Sequence, residues 1–196
     1  MKTLLALLCF GVSLPATAQT TYSDKRYGIT FKYPAGYVLK EGILDDQDIG
    51  LGYLGPTPME FTARGGIRVV TVEMPTGSLP GTDFVNAFFT VSVNSFLTPA
   101  ECGHFLDSRG DTPRWRTLLL KIGNVEFQGF RVGFGGLGHQ FSGTYLHGYL
   151  NGSCYELGYG LATAGYGAVE GMRHVDDRKI LSMLEKIRDS MLIRRR

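Results

Sequence analysis

The chain is poor in cysteine, in net charge and in long apolar runs, and each shortage removes a class of protein. It has three cysteines, 20 basic and 18 acidic residues, and a formal net charge of +2 over 196 residues. A near-neutral chain has no strong electrostatic reason to bind nucleic acid. The closing Arg194-Arg195-Arg196 is its one basic run, suited to a solvated terminus after a helix, whose dipole favours cations there. No apolar run approaches the ~20 residues that cross a bilayer core, so no membrane span is expected after the leader.

Several catalytic signatures are also missing. There is no C-x-x-C and no G-x-S-x-G, which argues against a paired-thiol redox centre and a nucleophile elbow. Gly133–Gly138 (G-F-G-G-L-G) has the glycines of a phosphate loop without its lysine, and leads toward a strand instead of a helix N-terminus. It reads as a flexible break between strands. No cofactor is implied.

What is present begins with an export signal. Lys2 supplies one positive charge, Leu4–Leu14 is almost wholly apolar, and Ala16-Thr17-Ala18 places small side chains before a cleavage point. That order is a secretory signal peptide over residues 1–18. Cleavage after Ala18 leaves residues 19–196 as a single domain, long enough to bury its own core, in the periplasm or outside the cell. Cys9 departs with the signal. The remaining pair, Cys102 and Cys154, is most simply one structural disulfide in an oxidising compartment; the rival is a metal or redox pair.

The mature sequence reads mainly as strands. Ile29, Phe31 and Tyr33 alternate with Thr30 and Lys32, the period of a half-buried strand. Tyr37–Leu39 is extended, Glu41–Pro58 is glycine- and acid-rich and irregular, and Ile67–Met74 is a β-branched strand. Asp83–Phe96 fits either period. Thr98-Pro99-Ala100-Glu101 carries a capping box and a proline suited to the first helical position, so Cys102, Phe105 and Leu106 face the core from a helix.

Two hairpins follow. Gly123-Asn124 joins Thr117–Ile122 to Val125–Phe134, and Asn151-Gly152 joins His139–Leu150 to Ser153–Thr163. The second turn fixes register, with Tyr149 opposite Cys154 and His147 opposite Glu156. One face then holds Leu146, Leu150, Tyr155, Leu157 and Leu161, the other His139, Tyr145, His147, Tyr149, Cys154 and Glu156. A final amphipathic helix spans Asp176–Ile193, with Ile180, Leu184, Ile187 and Met191 as its apolar stripe. The expected fold is α+β, a central antiparallel sheet flanked by helices.

Among the histidines, His139 and His147 share a face but stand ~26 Å apart at strand rise, too far to hold one metal. His147 with cross-strand Glu156, beside Tyr149, is the candidate surface site, and a third ligand would make it a zinc site. The bland alternative is a histidine–carboxylate pair on a wet sheet face. His174 near Asp176 and Asp177 reads as a helix-start cluster. The aromatics sharing the face of His147 suit a ligand surface, or core beneath the Cys102 helix.

The opening Tyr27-Gly-Ile-Thr-Phe-Lys-Tyr-Pro-Ala-Gly-Tyr37, with its aromatic-glycine strand, Tyr-Pro and glycine before an aromatic, resembles the PsbP-like proteins. These include the extrinsic subunit of photosystem II and many exported bacterial proteins. The final helix over Ile180–Met191 matches how such domains end. The resemblance implies an α/β/α sandwich acting as a binding or accessory module for a protein or small-molecule partner, and brings no catalytic residues. A small secreted hydrolase using the His147/Glu156 face is the alternative.

Overall fold

A computed structural model describes residues 18–42, 65–103, 117–136, 138–165 and 169–195. The signal segment before Ala18, most of Glu41–Pro58, and His104, Phe105 and Leu106 lie outside them.

The Asn151-Gly152 turn organises the sheet. Both residues hold positive φ, 53° and 74°, the backbone that matches strand twist in a two-residue hairpin. It joins β8 (His139–Leu150) to β9 (Ser153–Ala164), and His147 opposes Glu156 while Tyr149 opposes Cys154. β9 pairs on its other side with β5 (Phe84–Asn94), and β5 with β4 (Ile67–Glu73), which pairs with β3 (Val38–Glu41). Beyond β8 lie β7 (Val125–Gly136) and β6 (Leu118–Ile122). The seven strands run in the order β3-β4-β5-β9-β8-β7-β6, every neighbour antiparallel.

A second sheet of three strands has the order β1-β2-β10, from β1 (Gln19–Asp24), β2 (Ile29–Pro34) and β10 (Leu192–Ile193). With α2 (Asp177–Asp189) it covers one face of the large sheet, here called the front. Ile180, Leu184 and Ile187 of α2 are buried, as are Ile29 and Phe31 of β2, beside Val70, Val72, Phe89, Val91, Leu146 and Leu157. The Phe31 and Phe89 rings meet edge-on, centroids 5.3 Å apart, and join the two sheets.

The expected helix-flanked α/β/α sandwich is corrected here: the described residues form two antiparallel sheets with two helices. One of them, α1 (Pro99–Cys102), is a single turn, so the described residues form no helical layer on the back face. Three local readings change with it. Asp83–Phe96 resolves as β5, a strand buried on both faces from Ala87 onward, with Phe89, Val91 and Val93 on the front and Phe88, Thr90 and Ser92 on the back. The break expected over Gly133–Gly138 narrows to its end, since β7 continues to Gly136 and β8 begins opposite it at His139. Gln19–Asp24, given no element from the sequence, is strand β1, its side chains exposed save Tyr22 and Asp24. The last helix stops at Asp189. Ser190 caps it, and the Ser190 hydroxyl accepts from the Lys32 N–H at 2.8 Å, turning the chain into β10.

Glycines let aromatic rings lie flat on the back face. A Cβ at Gly143 or at Gly160 would stand 2.7 Å from the Phe141 ring, which stacks on Phe88 with centroids 6.2 Å apart.

Candidate functional site

Strand register places five side chains in one row across the back of the large sheet. Arg68 opposes Ser92, Ser92 opposes Glu156, Glu156 opposes His147, and His147 opposes Gln128. The row is buried: Arg68 is 4%, Ser92 0%, Glu156 1% and His147 6% exposed. The expected surface site at His147, Glu156 and Tyr149 therefore sits inside the protein, with Tyr149 partly buried against the disulfide.

The reason is α1. Thr98 and Glu101 form a complete capping box at its N-terminus. A helix also leaves carbonyl oxygens unmatched at its C-terminal end, and the row supplies their donors. His147 Nδ1 lies 3.0 Å from the Cys102 carbonyl, and Gln128 Nε2 donates to the Gly103 carbonyl at 3.0 Å. A carbonyl only accepts, so Nδ1 carries the imidazole proton. His147 Nε2 then meets Glu156 Oε2 at 2.8 Å. The Cys102–Cys154 disulfide, with Cα atoms 5.5 Å apart, is the third link between α1 and the sheet.

Both ring nitrogens of His147 are thereby engaged by the protein. Among the described residues no group of three His, Cys, Asp or Glu side chains is placed to hold a metal. Two buried oxygens of the row, Ser92 Oγ and Glu156 Oε1, have no hydrogen-bond partner among them.

His174 has a partner that local sequence does not reveal. Its Nδ1 meets Asp83 Oδ2 at 2.6 Å across 91 residues, and Asp83 Oδ1 accepts the Val175 N–H at 2.9 Å. Asp177 stands 3.4 Å from the other ring nitrogen. The hydrogen bond to Asp83 raises the imidazole above its ordinary 6.5, and the nearby carboxylates add to it. Asp83 is buried at the start of β5, so the pair ties the approach to α2 to the sheet. Asp176 caps α2 by accepting from the Lys179 N–H at 3.0 Å.

The open site is on the front. α2 packs on β5 and β9, and beside it on the front of β7 and β8 Arg131 is exposed, Ser142 half-buried and Thr144 buried, where Phe127 and Leu146 stand further along the same strands. A cleft of about 410 Å³ results. Its other wall is one flank of α2: Arg178, Leu181, Ser182 and Glu185, whose spacing puts them on one helical face. Tyr159 lies at its floor, with its hydroxyl accepting from Arg188 at 2.6 Å. The sequence signal for this site is the loss of apolar character at Ser142 and Thr144 on an otherwise core-facing parity.

No protein-family model matches the chain, and no curated protein matches it. Solved structures do. Cyanobacterial PsbP from Synechocystis sp. PCC 6803 matches at 16% identity and a TM-score of 0.46, over 95% of this chain and 98% of that one. LpqN of Mycobacterium tuberculosis, a protein involved in cell envelope biogenesis, matches at 9% identity and a TM-score of 0.45, over 90% of each chain. A Bacteroides thetaiotaomicron protein matches at 9% identity and a TM-score of 0.43, over 89% of this chain; the match spans 48% of that longer protein. One of these solved structures is thus a PsbP, the family that the Tyr27–Tyr37 segment resembles. Likenesses of this size carry no argument about function.

Proposed function

We propose that residues 1–18 direct export and are removed, and that residues 19–196 serve as a non-catalytic binding or accessory domain for a protein or small-molecule partner. The observation that carries this reading is how the polar groups are used. The buried histidine–carboxylate pair is committed to holding α1, whereas the open cleft beside α2 offers guanidinium and hydroxyl groups of the kind that bind. The Cys102–Cys154 bond is consistent with an oxidising compartment.

The test is an assay of the purified mature protein against chromogenic esters, glycosides and phosphate esters, with zinc and with chelator, alongside His147→Gln. The expected result is no turnover above the blank in any condition. Turnover that His147→Gln abolishes would establish the hydrolase in place of the binding domain.

A further inference from the structure

We propose that the cleft beside α2 binds a compact ligand bearing a carboxylate or phosphate group, held by Arg131 and Arg178; the proposal rests on the binding-domain reading and adds the ligand class. Three features of the cleft point there.

The first is charge left uncompensated. Arg131 projects from β7 and Arg178 from the first turn of α2, so the two guanidinium groups reach one cleft from separate elements. Both are exposed. Among the described residues neither forms an ion pair, although surface arginines commonly find a carboxylate. Glu185 is the one acidic group of the lining, and its carboxylate stands 3.7 Å from Arg188, which is not part of the lining. The lining therefore keeps a positive excess. A guanidinium presents a planar fork of N–H donors that matches the oxygens of carboxylate and phosphate, so an anion is the chemistry that answers it.

The second is the neighbouring donor set. Arg131 opposes Thr144 on β8, and Thr144 opposes Tyr159 on β9. Ser142 lies two residues along the same face of β8, also on the cleft. These hydroxyls donate to anionic oxygens or accept from ligand hydroxyls. Ser142 is half-buried at the cleft, while Thr144 and Tyr159 are buried at its floor, on the parity that elsewhere carries core side chains.

The third is size. A cleft of about 410 Å³ falls within the roughly 300–1,000 Å³ of small-molecule sites. It suits a sugar acid or a short phosphate-bearing compound. A nucleic acid would need a long basic stripe, and two arginines with a carboxylate between the walls do not provide one.

Isothermal titration of the mature protein at low salt, with glucuronate, inorganic phosphate and glucose as separate probes, tests the proposal. Saturable binding of glucuronate or phosphate is expected, with glucose silent; which anion binds tells the carboxylate source from the phosphate source. Arg131→Gln and Arg178→Gln are each expected to weaken binding at least tenfold, and Arg131→Lys to restore part of it. Binding should also weaken in 0.5 M sodium chloride, because both arginines are exposed to screening. Both lie on the surface, and circular dichroism melts check that the variants remain folded. Heat from neither anion, or affinity unchanged in both glutamine variants, overturns the proposal. Glucose binding that survives Arg131→Gln overturns the anionic class and leaves the binding domain standing, whereas turnover of a probe overturns both.

Discussion

His147 shows how one side chain is committed by its surroundings. Its Nδ1 is fixed by the Cys102 carbonyl and its Nε2 by Glu156, in a site 6% exposed. Truncating Glu156 would leave a buried ring nitrogen facing a void, and removing one partner of a buried pair costs about 3–5 kcal/mol. Glu156→Ala is therefore expected to lower unfolding free energy by about that amount in urea denaturation, with no change in the denaturant slope. His174 gives a pH signature instead. Its imidazole is raised above 6.5 by Asp83, so its contribution is fully present below the unfolded value and is lost as pH rises through the folded one. Proton NMR should show His174 titrating above 6.5, and Asp83→Asn should return it toward the ordinary value. Of these residues, the His147–Glu156 pairing was legible, because a two-residue turn fixes which residues face each other. Its burial was left open between a ligand surface and core beneath the Cys102 helix, because strand periodicity alone does not say whether a capped turn 45 residues earlier lies across it. Asp83 stayed hidden for the same reason: its link to His174 spans 91 residues.

At the scale of elements, α1 is a single turn that could not hold its shape alone, since isolated short helices are marginal in water. Its capping box, the two carbonyl contacts and the disulfide make it a fixed part of the sheet's back face. Cys102 and Cys154 lie 52 residues apart, and a loop of that size corresponds to about 4 kcal/mol in the chain-entropy model. Thermal melts of Cys102→Ser/Cys154→Ser should show a stability loss of that order while the far-ultraviolet spectrum keeps its β-sheet form. The glycine floor under Phe141 makes a second test. Gly143→Ala would push a methyl to 2.7 Å from that ring, and overpacking of this kind costs about 1–3 kcal/mol. Urea unfolding should register it. The Asn151-Gly152 hairpin and the α1 cap were legible because each rests on local backbone chemistry. β5 was not, because Phe84, Val85, Phe88 and Phe89 satisfy a helical stripe as well as a strand buried on both faces, and length alone does not separate them.

The whole molecule divides its polar groups between cohesion and contact. The back-face row and the disulfide hold α1, while the front carries a cleft where α2 runs out of sheet to cover. The antiparallel sheet and the closing amphipathic helix were readable from turns and periodicity. The helical layers were not, because the expected sandwich needed helices where the described residues supply one turn and a second sheet, β1-β2-β10. That second sheet is completed by β10, three residues after a helix end that periodicity placed four residues too late. The central claim, that recognition occurs at the cleft and not at the histidine row, is tested most directly by mapping backbone amide shifts. The mature protein would be titrated with a mixed set of small charged and neutral fragments. Shifts are expected to concentrate at Arg131, Ser142–Thr144 and Arg178–Glu185. Shifts gathered instead around His147, Glu156 and α1 would contradict it.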